Sequence, residues 1–175
     1  ARLGETEAAL KDLLEASEIA PDGEIEAEII EAMLALDRFA EAEHGLADAL
    51  RRYAVTGSTD PLARAARRII GDPRASASGW TALSPELELI GEIQLPRGGR
   101  LRISTGKGQA LPPPRLARPR EEVSADRTGG SGVKAFAIPL KELAVLGPLV
   151  AEIDGTALLG SGLAYPPDFS LAGRT

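Results

Sequence analysis

The residue types that most often carry chemistry are scarce in this chain. His44 is the single histidine, and there is no cysteine. Disulfides, thiolate metal sites and cysteine nucleophiles are therefore excluded. His44 directly follows Glu43, and neighbours in sequence do not share a helix face, so the pair does not converge on a metal or a substrate. No H-x-x-x-H or H-x-x-E spacing accompanies it, and it reads as a surface or interface polar residue. Glu24, Glu28 and Glu31 fall on neighbouring turns of one helix. Such a face of acids is expected to be solvated, and it lacks the Asp/Gly loop of an EF-hand. Ser131-Gly132-Val133-Lys134 fits S-x-x-K, but the S-D-N and K-T-G partners of the serine acyl-enzymes are missing and the tetrad sits at a loop-to-strand junction. Gly98-Gly99 and Gly106-Lys107-Gly108 lack P-loop spacing and lie between strands, so they read as turn glycines. No catalytic constellation is visible, and no metal or cofactor is expected. The chain reads as a binding or structural protein and not as an enzyme.

Composition narrows the classes further. The chain has 175 residues, 43% hydrophobic and only 3% aromatic, so its core must be built from Leu, Ile, Val and Ala. A net charge of −6 conceals an asymmetry: 14 acidic and 5 basic residues lie in 1–57, against 12 acidic and 15 basic in 58–175. Such an asymmetry reads first as a solvated acidic helix face, and otherwise as two parts that attract each other or face different partners. Arg51, Arg52, Arg64, Arg67, Arg68 and Arg74 form one basic cluster, and Arg115, Arg118, Arg120 and Arg127 a second. An acidic chain with scattered aromatics is a poor nucleic-acid binder, so the first cluster is expected to pair with the acidic helices. No apolar run approaches the ~18–20 residues of a membrane span. Residues 1–20 are amphipathic and acidic, without the pattern of a signal peptide. Ala1 fits a trimmed initiator Met. The lack of cysteine fits a reducing compartment, and a cytoplasmic protein or a part of a surface or virion-type assembly would both suit.

Hydrophobic periodicity supplies the elements that must position these residues. Leu3, Leu10, Leu13, Leu14 and Ile19 recur at helical spacing, and Pro21-Asp22-Gly23 breaks the run. A second, longer helix is predicted over 24–53, with Ile25, Ile29, Met33, Leu36, Phe39, Ala40, Ala47, Leu50 and Tyr53 in one apolar stripe. The two would form a helical hairpin over 2–54. Asp60-Pro61 is a helix start and Gly71 a stop, which predicts a short third helix over 61–70. Beyond Asp72-Pro73 the period changes to two. Leu87, Leu89, Ile93 and Leu95 alternate with Glu86, Glu88, Glu92 and Gln94, the pattern of a half-buried strand. Pro96-Arg97-Gly98-Gly99 reads as a hairpin turn into a strand over 100–104. Residues 111–132 read as a long surface loop, 133–140 as a strand, and 141–146 as a helical turn. Strands over 149–153 and 156–163 flank Asp154-Gly155, a two-residue hairpin signal.

The order of motifs GGRLRIS (98–104), RPREEVSADR (118–127), KAFAIPLKEL (134–143) and VAEIDGTALLGSGLA (150–164) resembles the Ig-like accessory β-domains fused to some bacterial glycosyltransferases and related cell-surface polysaccharide enzymes. The likeness covers under half the chain. The chain lacks the Gly-Trp-Ala element often found early in such modules, for which Gly79-Trp80-Thr81 is a poor substitute. The resemblance implies a glycan-associated accessory domain and carries over no functional residue. Trp80, at the boundary between the helical and β parts, reads first as a core anchor or interdomain plug, with stacking on a sugar ring as the alternative.

The sequence therefore predicts an α+β chain: a helical segment over 1–74, a linker over 75–85, and a small antiparallel, Ig-like β-sandwich over 86–175. The first functional expectation is an assembly protein. Its apolar helical stripe, Ile29, Met33, Leu36, Ala40 and Leu50, would dock to a second copy or to a protein partner, and the sandwich would present a binding surface. The second expectation is a carbohydrate-binding or accessory module of bacterial polysaccharide synthesis.

Overall fold

The computed structural model describes residues 2–95, 99–117, 132–141, 143 and 147–167. The architecture is α+β. Helices α1 (Arg2–Ile19), α2 (Gly23–Ala35), α3 (Phe39–Arg52) and α4 (Pro61–Ile70) come first. Two small antiparallel sheets follow, built from β1 (Gly79–Leu83), β2 (Glu88–Gln94), β3 (Leu101–Thr105), β4 (Val133–Pro139), β5 (Leu149–Ile153) and β6 (Thr156–Ala157). One sheet has the order β1-β2-β4 and the other β3-β5-β6, and neither closes on itself.

Local chemistry sets most helix ends. Asp22 caps α2, its carboxylate accepting from the Glu24 N–H at 3.3 Å. Asp60 caps α4 through the Leu62 N–H at 2.9 Å, with Pro61 at the first helical position. The single helix expected over 24–53 is instead two. Asp37 adopts φ 58, its N–H donates to the Leu34 carbonyl, and the Arg38 N–H donates to the Met33 carbonyl. Those two bonds are a Schellman ending with Asp in the position that glycine usually fills. The corner is clamped by Arg74, whose guanidinium donates to Asp37 at 2.8 Å and lies 4.4 Å over the Phe39 ring.

The span 75–85, expected to be a linker, carries β1, which is buried along its whole length. A strand covered on both faces shows no alternation, and that hid it in the sequence. Its partner β2 runs through the middle of the first sheet, with Gly91 opposite Thr81 on one side and Phe136 on the other. A Cβ at Gly91 would lie 2.1 Å from the Trp80 carbonyl oxygen and 2.6 Å from the Phe136 ring, so only glycine fits. The expected hairpin between β2 and β3 does not form, because β2 pairs with β1 and β4 while β3 pairs with β5. Leu87, expected in the strand, sits at φ 63 in the preceding turn. Asp154 and Gly155 form the expected tight turn with positive φ at both residues. The strand expected over 156–163 is short. After β6 the regular ladder stops: Leu159 bridges to Trp80 on the free edge of β1, and Leu163 returns to bridge Leu149 of β5.

Two apolar clusters result. The first joins Ile30 of α2, Leu46 and Leu50 of α3, and Leu62 and Ile69 of α4 to Trp80 and Ala82 of β1. The second joins Leu89, Ile93 and Ile138 of the first sheet to Ile103, Ala151 and Ile153 of the second.

Candidate functional site

Trp80, the candidate sugar platform, is only 2% exposed. Its indole N–H donates to a Glu92 carboxylate oxygen at 3.2 Å, and its ring packs in the helical cluster. A sugar ring has no access to it, and its role is to join helices to sheet. Glu92 was expected on a solvated face but is buried. Helix α4 packs on the neighbouring strand β1, and from it Arg67 reaches across to β2 and donates twice to the Glu92 carboxylate, at 2.6 and 2.8 Å. Arg67 also donates to the Ser58 carbonyl at 2.8 Å. Arg67 thus turns toward the sheet. The expected pairing with the acidic helices falls to Arg68, bound to Glu31, and to Arg74, bound to Asp37.

The stripe proposed as a partner surface is not brought together as one. Ile29 and Leu50 are buried in the chain's own interior, Met33 and Leu36 are half-buried, and Ala40 is exposed. The break at Asp37 turns α3 away from the direction of α2, so one continuous stripe in sequence becomes two inward faces.

The apolar surface left uncovered lies elsewhere. Among the described residues, four large apolar side chains are exposed, and three belong to α1: Leu3 at 66%, Leu14 at 43% and Ile19 at 85%. Helix α1 rides on the outside of α2 and buries only Leu10. Leu13, Ala16 and Ser17 are half-buried, and the Ser17 hydroxyl donates to Glu26 at 2.7 Å. The sequence signal for this surface was the adjacent pair Leu13-Leu14. Adjacent residues point about 100° apart on a helix, so both cannot face α2.

Next to this face, a groove of about 500 Å³ runs between α1, α2 and α4. Leu13, Ala27 and Pro61 line its walls, with Glu24, Glu28 and Arg64 around the rim. Among the described residues, no group of three His, Asp or Glu side chains is placed to hold a metal ion. His44 is exposed on α3. Lys134 lies on β4, whereas Ser131, Arg118, Arg120 and Arg127 lie outside the described residues. No described helix is long and apolar enough to cross a membrane.

Tyr53, at the end of α3, has its phenol pushed above the ordinary range, first by burial and then by the negative charge of Glu26. Asp72 is held below the usual carboxylate range by the side chain and the backbone N–H of Arg74.

Neither a family model, nor a curated protein, nor a solved structure matches this chain.

Proposed function

We propose that this chain is a non-enzymatic assembly protein, with α1 as the element that docks to another protein chain. The single observation that carries the reading is the outer face of α1. An 18-residue helix that buries one side chain and leaves Leu3, Leu14 and Ile19 in solvent is a poor use of apolar surface within one chain. A leucine gains about 1.5–3 kcal/mol on going from full exposure to full burial, so covering Leu3 and Leu14 offsets part of the entropy of association. The rest of the fold supports the same reading. Helices α2, α3 and α4 share a core with β1, which makes a rigid base for α1. The core common to both sheets supports reading the β part as a small sandwich of the Ig-like kind, presenting a second surface away from the helices.

The test is the solution mass of the full chain at rising concentration, beside a Leu3→Ser/Leu14→Ser double variant. The expected result is a mass that rises above the 18.3 kDa of the monomer for the natural chain and stays there for the variant. Association of equal strength in both proteins would place the docking face elsewhere and contradict the reading.

A further inference from the structure

The outward strip of α1 identifies its own partner, an inference that rests on the docking reading above. Leu3, Glu7, Lys11 and Leu14 are all exposed and follow one another at spacings of 4, 4 and 3 residues. At 3.6 residues per turn they fall within an arc of about 80° beside the buried Leu10; exposed Glu18 shares the arc one turn beyond Leu14, outside the four-residue strip. Among the described residues Lys11 holds only an intrahelical pair with Glu15 at 3.8 Å, with both side chains largely in solvent. Glu7 makes no direct ion pair among the described residues and acts on Arg38 through its charge.

The order apolar, acidic, basic, apolar has a particular symmetry. Turned end for end about a two-fold axis between Glu7 and Lys11, the strip maps onto its own complement. Leu3 then faces Leu14 of the second copy, Glu7 faces its Lys11, and the same contacts repeat on the other side of the axis. A two-fold interface demands this kind of self-complementarity. A parallel arrangement would set Glu7 against Glu7 and Lys11 against Lys11, and flanking charges of this sort decide orientation in helix pairs. We propose that α1 pairs antiparallel with α1 of a second copy of this chain, through Leu3–Leu14 and Glu7–Lys11 contacts made twice.

Charge reversal in the full-length chain tests the arrangement. Glu7→Lys alone and Lys11→Glu alone each place like charges together in their homodimers, and each is expected to weaken association about 10-fold. An equimolar mixture of the two variants has only opposite charges across the axis, so it is expected to form a heterodimer about as tight as the natural homodimer. The Glu7→Lys/Lys11→Glu double variant is expected to homodimerise again, which also shows that lost helicity is not the cause in the single variants. A mixture no tighter than either variant alone overturns the antiparallel pairing. The docking reading would then stand only if Leu3→Ser/Leu14→Ser still abolished association. A natural chain that stays monomeric at every concentration overturns the pairing outright.

Discussion

Arg67 of α4 and Glu92 of β2 form a two-bond ion pair, Nε to Oε2 at 2.6 Å and Nη2 to Oε1 at 2.8 Å, with the Trp80 indole N–H donating to the same carboxylate. The Glu92 side chain is 3% exposed and that of Arg67 25%. Removing one partner of such a pair leaves an uncompensated charge inside the protein. Arg67→Met is expected to destabilise the chain by about 3 kcal/mol in urea unfolding followed by Trp80 fluorescence. Arg67→Met/Glu92→Met, which removes both charges, is expected to recover most of that loss. If the double variant were as unstable as the single one, the pair would be stabilising in itself.

Gly91 gives a second prediction. Gly91→Ala is expected to cost about 3 kcal/mol in thermal unfolding, because the new methyl would enter both the Trp80 carbonyl and the Phe136 ring. Trimming the ring in Gly91→Ala/Phe136→Ala is expected not to restore stability, since the backbone oxygen stays where it is. Recovery in the double variant would mean that the ring alone required glycine.

At the corner between α2 and α3, Asp37→Val is expected to cost about 2 kcal/mol. A β-branched residue resists a left-handed backbone and also loses the Arg74 contact. Asp72 responds to the same arginine. Its depressed carboxyl stabilises the folded chain above the unfolded carboxylate range, and that contribution is lost as pH falls through its lower folded value. In Arg74→Ala the Asp72 carboxyl, followed by NMR, is expected to titrate at higher pH than in the natural chain. An unchanged titration would remove Arg74 as the cause.

Tyr53 sets an alkaline limit. Its neutral phenol is favoured in the folded state, so the contribution is complete below the unfolded tyrosine range near ~10 and is lost as pH rises toward the higher folded value. In a Tyr165→Phe background Tyr53 is the sole tyrosine. Its tyrosinate absorbance is expected to appear late in the folded protein and to shift to lower pH in urea. Identical curves in the two states would contradict burial as the cause.

Sequence patterns were legible where one local signal decides the outcome. The Asp60-Pro61 start and the Gly71 stop bound α4 correctly, because capping is local. The break at Asp37 was hidden because aspartate took the glycine position of the helix ending. Strand β1 and the buried Glu92 were hidden because period-two reading assumes a wet face, whereas here α4 packs on β1 and its Arg67 covers Glu92. The Pro96–Gly99 turn signal could not tell which sheet the next strand would join. The burial of the α2–α3 stripe was hidden for a related reason. Periodicity identifies apolar stripes on α2 and α3 but not which ones the chain consumes itself, and the Leu13-Leu14 pair alone hinted that a leucine of α1 stays uncovered.

The most direct measurement uses the absence of native cysteine. Full-length chains carrying only Leu3→Cys or only Leu14→Cys are mixed and treated with a short bismaleimide, which spans facing residues on helices packed about 8–10 Å apart. The account predicts efficient cross-linking in the mixture and little with either variant alone. Equal cross-linking of each variant with itself would contradict the antiparallel pairing of α1, and no cross-linking in any sample would contradict α1 as a contact between copies.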